Sequence, residues 1–122
     1  MRWAEEIRVR TQPRRQNEVG DILLDMAESA SRNREVLGAW VFSHHLAPGG
    51  FTLTLFWETA TIPAHGSETA MLILEGLRPF GLLDHMVLIL RGESKRTKKV
   101  QRSNKSQDDK SIRKGDNDPV VG

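Results

Sequence analysis

Three features of the sequence predict an α+β fold of the ferredoxin-like kind. Hydrophobic periods of two and of 3.6 residues alternate in the order β-α-β-β-α-β. A short glycine-rich segment joins the middle two strands, which makes them a hairpin. The last strand carries an unbroken apolar run. Such a chain forms a four-stranded antiparallel sheet with two helices on one face, and right-handed crossovers put the first and third strands in the middle.

The first strand is expected over Glu5–Thr11, where Ile7 and Val9 point one way and Glu6, Arg8 and Arg10 the other. Gln12-Pro13-Arg14-Arg15 breaks it. A helix then fits Glu18–Ser31. Val19, Ile22, Leu23, Met26, Ala27 and Ala30 recur at helical spacing and build one stripe, and Asn17 is the expected N-cap. Val36–His44 reads as the second strand, Ala47-Pro48-Gly49-Gly50 as a turn, and Phe51–Glu58 as the third strand. The second helix is expected over Glu68–Arg78, capped by Ser67, striped by Ala70, Ile73, Leu74 and Leu77, and ended by Pro79-Phe80-Gly81. The last strand, Asp84–Arg91, contains Met86-Val87-Leu88-Ile89-Leu90, a run that predicts burial on both faces.

Composition divides the 122 residues in two. Residues 1–92 hold nine Arg, no Lys and eleven acids, a net −2, and form the expected folded domain. Residues 93–122 hold six Lys, three Arg and five acids, a net +4, with only Val100, Ile112, Val120 and Val121 as apolar side chains. Four such side chains do not offset the entropy of ordering thirty residues, so a disordered, basic, Lys-rich tail is expected. Its run from Lys95 to Lys99 is suited to weak contact with nucleic acid or acidic lipid.

The absence of cysteine excludes disulfides, thiol catalysis and thiolate zinc sites. No apolar run reaches the roughly 18 residues of a membrane helix. Met1-Arg2-Trp3-Ala4-Glu5-Glu6 has acids where an export signal needs an apolar core, so a cytoplasmic home is expected. The phosphate-binding glycine loop, the His-Glu-x-x-His metal site and the nucleophile elbow are all missing from the sequence.

Two helices cover one face of such a sheet, yet the second strand has Trp40 and Phe42 on one side and Ala39 and Val41 on the other. A second copy packed sheet to sheet about a two-fold axis would cover the open face, so a homodimer is expected. Arg8, Arg10, Thr52 and Thr54 on that face are the argument for a monomer. The arginines Arg8 and Arg10 sit on a central strand, where pairing with Glu6 or with a partner subunit is the favoured expectation and binding of an acidic substrate group the alternative.

Val36-Leu37-Gly38-Ala39-Trp40, the strand Phe51-Thr52-Leu53-Thr54-Leu55-Phe56-Trp57-Glu58 leading into a helix, and the exit through His85-Met86-Val87-Leu88 resemble one known group. It is the antibiotic-biosynthesis-monooxygenase-like family of the dimeric α+β barrel superfamily, and the resemblance covers about residues 3–92. It implies a pocket between sheet and helices in each subunit. It also implies oxidation of an aromatic or quinol-like substrate by molecular oxygen without metal or flavin, begun by a base that removes a substrate proton. Haem-degrading relatives pair the strand-three Trp with an Asn in strand one and a His on the second helix. Trp57 fits, but the first strand has no Asn and His65 precedes the helix, which disfavours haem degradation.

Histidine is the residue type suited to the base. His44 follows Trp40 and Phe42 on one face, and His65 lies in the loop into the second helix. Either is the candidate catalytic base. His44 and His45 are adjacent on a strand end, point to opposite faces and so do not share a metal. Trp40, Phe42, Trp57 and His85 are the candidate substrate contacts, with Trp57 suited to stacking on a flat ring. The leading expectation is a small cofactor-independent monooxygenase. The alternative is a non-catalytic ligand-binding or interaction dimer of the same fold, in which Trp57, Met71 and Leu74 fill the space that an enzyme keeps open. RNA binding is a minor alternative, since the folded segment is acidic overall.

Overall fold

In the computed structural model the elements run β1 (Arg2–Arg10), α1 (Gln16–Ala30), β2 (Val36–Ser43), β3 (Gly50–Glu58), α2 (Glu68–Leu77) and β4 (Leu82–Ile89). Short 3-10 turns at Pro13–Arg15 and Arg78–Phe80 precede α1 and follow α2. The structure describes residues 1–94. The basic tail expected over 93–122, with its nucleic-acid contact, lies outside the described residues from residue 95 onward.

The four strands form one antiparallel sheet in the order β2-β3-β1-β4, with the first and third strands central as expected. Val19, Leu23, Ala27 and Ala30 of α1 and Ala70, Ile73 and Leu77 of α2 pack on Trp3, Ile7, Val9, Phe51, Leu53, Leu55 and Trp57. This is the ferredoxin-like α+β fold. No helix of the described residues is long and apolar enough to cross a membrane.

Three boundaries correct the expectations. Strand β1 begins at Arg2 rather than Glu5, because Trp3 pairs with Trp57 of β3 and the two indoles stack 5.5 Å apart. Helix α1 begins at Gln16, so Asn17 lies in its first turn and is not the N-cap. The 3-10 turn runs directly into the helix: the Gln16 amide donates to the Pro13 carbonyl, and backbone does the work of a side-chain cap. Glu18 stands in that first turn and takes two bonds from Arg15, at 3.0 and 3.1 Å. The bonded guanidinium holds the Glu18 carboxyl below its ordinary range. Helix α2 keeps the expected cap, with Ser67 Oγ accepting from the Ala70 amide at 3.0 Å.

Strand β4 is the third correction. It runs Leu82–Ile89 and is an edge strand with helices on one side only, so its apolar run is not buried on both faces within the chain. Met86 and Leu88 are about 40% exposed. They share the helix-free face with Trp40, Phe42 and Phe56, and the Trp40 and Phe56 rings meet edge to face at 5.2 Å. On the same face Arg8 is paired within the chain, 3.1 Å from Glu6 and 4.0 Å from Asp84.

Candidate active site

Alternation along β1 puts Glu5 on the same face as Trp3, Ile7 and Val9, the face the helices cover. A carboxylate there, fully removed from water, costs free energy unless every lone pair finds a donor. Four donors converge on it. Oε1 accepts from Trp57 Nε1 at 2.9 Å and from the Ser67 hydroxyl at 2.6 Å. Oε2 accepts from the Ser67 amide at 2.7 Å and lies 2.9 Å from His85 Nε2. Since Ser67 Oγ already accepts from Ala70, its hydrogen is available to Glu5. One side chain thereby ties β1 to β3, β4 and the start of α2.

Gly66 makes that approach possible. Its φ is +92°, in the left-handed region, and a Cβ added there would collide with Glu5 Oε2 and the His85 ring. Leading out of Gly66, the chain delivers the Ser67 amide and hydroxyl to opposite oxygens of the carboxylate.

His85 joins the cluster from β4, opposite Ile7 in the register with β1. Its side chain is 17% exposed, against 0% for Glu5. The hydrogen-bond network assigns the ring proton to Nε2, because Glu5 Oε2 already takes an N–H and is best served by a second donor. In the neutral ring Nδ1 then carries the lone pair, and among the described residues no hydrogen-bond partner meets it. His85 lines an open groove of about 390 Å³ with Leu74, Arg78, Leu83 and Asp84. A carboxylate that fixes one imidazole nitrogen as donor and leaves the other basic is the arrangement of a general base.

Five of the six expected site residues divide between the two faces of the sheet, and His65 lies on neither. Trp57 and His85 come together at Glu5. Trp57 is 3% exposed, with one ring face against Trp3. Trp40, Phe42 and His44 lie on the opposite, helix-free face, where His44 Nε2 meets Thr52 Oγ1 at 2.7 Å. His65 is exposed in the loop before α2. A larger groove of about 680 Å³ runs between α1 and the β2–β3 edge, walled by Asn17, Asp21, Leu24, Val41 and Phe51, and holds no histidine. No cluster of three or more His, Cys, Asp or Glu suited to a metal occurs among the described residues. Glu5, Gly66 and Ser67 are the residues that sequence reasoning missed. The available signal was parity: Glu5 is the one charged residue in step with Ile7 and Val9.

No protein-family model matches this sequence, and no curated protein matches it. Solved structures match its fold. Rv0793 of Mycobacterium tuberculosis superposes with a TM-score of 0.61 at 13% identity, over 77% of this chain and 99% of that one. An antibiotic biosynthesis monooxygenase gives 0.55 at 14% identity, over 75% and 99%. SnoaB, a cofactor-independent oxygenase from Streptomyces nogalater, gives 0.57 at 10% identity, over 77% and 97%. The chain has the fold of the antibiotic-biosynthesis-monooxygenase structures.

Proposed function

We propose that this protein is a cofactor-independent monooxygenase for a flat aromatic or quinol-like substrate, with His85 as its base. The observation that carries this reading is the His85–Glu5 pair beside the groove of Leu74 and Leu83. The shared fold with SnoaB supports it. His85 Nδ1 takes a proton from the bound substrate, and Glu5 steadies the imidazolium that forms. The electron-rich substrate anion then reduces molecular oxygen. In a substrate with a ring CH2, one oxygen atom enters that carbon as a carbonyl and the other leaves as water with its two hydrogens. In a quinol, one oxygen atom replaces a ring hydrogen as a hydroxyl and the other leaves as water with the two quinol hydrogens, giving a hydroxyquinone. The substrate supplies all four electrons.

Geometry favours His85 over His44 and His65 as the base. His44 is turned to the helix-free face, His65 to solvent, and neither has a carboxylate behind it. The helix-free face supports a homodimer, since Trp40, Phe42, Phe56, Met86 and Leu88 are all more than a third exposed on it.

One observation favours the second reading, a non-catalytic dimer. Trp57 and Leu74 already occupy the space between sheet and helices, and the grooves are open. Oxygen uptake without added metal or flavin, against anthrones and hydroquinones, separates the two. Uptake above autoxidation that is lost in His85→Ala and kept in His44→Ala and His65→Ala supports the enzyme and its base. Loss in His44→Ala or His65→Ala alone moves the base to that residue. No uptake across the panel favours the binding dimer.

A further inference from the structure

The groove of His85 is not isolated. Gly81 and Leu82 line it, and they also line a second groove of about 350 Å³ whose other walls include Arg10, Gln12, Arg14, Arg15 and Phe80. Three of the nine arginines in residues 1–92 therefore gather at one end of a segment whose net charge is −2. Arg15 is already satisfied, bonded twice to Glu18 and stacked 4.8 Å over the Phe80 ring. Arg10 and Arg14 are different. Among the described residues neither has a carboxylate within 4.0 Å. Two exposed guanidinium groups share this groove without a direct ion pair, since Glu18, the carboxylate that feels Arg14, gives its hydrogen bonds to Arg15, and guanidinium is the side chain best shaped to take an oxyanion in two bonds.

The charges also fix a direction. At the His85 end the charges are already paired: Asp84 lies 4.0 Å from Arg8, and the one arginine there, Arg78, is 3.5 Å from Glu75. The guanidinium groups without a direct ion pair stand at the other end, and an anion is attracted there. Three residue steps along the strand take Leu82 to His85, about 10 Å. That is the length of a two- or three-ring aromatic.

We infer that the molecule bound beside His85 is an aromatic acid: its ring system lies along Leu83 and Gly81, and its anionic group is held by Arg14 and Arg10. This inference rests on the reading of His85 as the base for a flat substrate. The anionic group is a carboxylate, sulfonate or phosphate, which share the planar or trigonal oxygen array a guanidinium matches.

The test is calorimetric titration of the full chain with 6-hydroxynaphthalene-2-sulfonate and with 2-naphthol, its neutral counterpart. The sulfonate is expected to bind about tenfold more tightly, the scale of one charge-assisted contact. Arg14→Gln and Arg10→Gln each remove most of that ratio. Arg34→Gln, outside the groove, leaves it unchanged, which also separates the groove from non-specific attraction to the Lys-rich segment. His85→Ala keeps the ratio, because the anion end does not need the base. A ratio near one, or a ratio indifferent to both Arg14 and Arg10, overturns the inference. If the ratio holds while no substrate takes up oxygen, the anion site stands and the oxygenase reading falls. If neutral quinols turn over and the ratio is absent, the reverse holds.

Discussion

His85 Nε2 lies 2.9 Å from Glu5 Oε2, joining the last strand to the first across 80 residues of sequence. The carboxylate is fully buried and the imidazole is not, so the pair runs from the core to the wall of a groove. Three other donors hold Glu5 still: the Trp57 indole, the Ser67 amide and the Ser67 hydroxyl. What fixes the fold at this point therefore also orients the His85 ring.

Gly66→Ala is expected to disturb both at once. The added Cβ meets Glu5 Oε2 and the His85 ring, and the residue must keep a left-handed φ of +92°. Such strain costs about 1–3 kcal/mol, and thermal unfolding should fall by roughly 4–8 °C for each kcal/mol lost. Calorimetry checks it. An unchanged midpoint would mean that the loop moves away from the pair freely.

Ser67→Ala removes the cap of α2 and one donor to Glu5 in a single step. Loss of a cap alone costs about 1 kcal/mol, and a buried acceptor deprived of its donor adds about 1–3 kcal/mol. Chemical denaturation should show the larger sum. Combining Ser67→Ala with Glu5→Gln should give less than the added single losses, because both act on one network. Strict additivity would place Ser67 outside it.

The element order, the central pair of strands and both helix stripes were legible because each rests on local periodicity. The α2 cap was legible for the same reason. The start of β1 was not, since Trp3-Ala4-Glu5 does not alternate in polarity and all three are buried. Nor was the cluster around Glu5. It depends on His85 facing Ile7 across the sheet and on Gly66 bringing Ser67 alongside, and neither relation has a local sequence signature. The apolar run of β4 was misread because a strand that awaits cover and a strand already covered look alike in sequence.

Glu18→Gln should change the acid side of the stability curve. In the folded protein the Arg15 guanidinium lowers the Glu18 carboxyl below its ordinary range. A carboxyl lowered on folding contributes stability above its unfolded value and loses it as pH falls through the folded value. The wild type should therefore be slightly more stable than Glu18→Gln at neutral pH, and the gap should close below about pH 4. The gap is small because both groups face solvent, and added salt should shrink it further. Unfolding midpoints across pH decide it; a gap that widens toward acid would contradict the sign.

Phe56→Glu tests the helix-free face. Phe56 sits on central strand β3, in edge contact with Trp40 and exposed to solvent within the single chain. Nothing in the core packs on it, so the substitution should leave the folded unit intact. In a dimer closed sheet to sheet this face is the interface, and a charge on a central strand there is buried in both copies without a partner. Burying such a charge costs several kcal/mol, enough to lower association by at least about a hundredfold. Sedimentation of the wild type should give twice the mass of one chain, and Phe56→Glu should give one, with unchanged circular dichroism. A wild type that sediments as a monomer at high concentration would retire the dimer and leave this aromatic face to another partner.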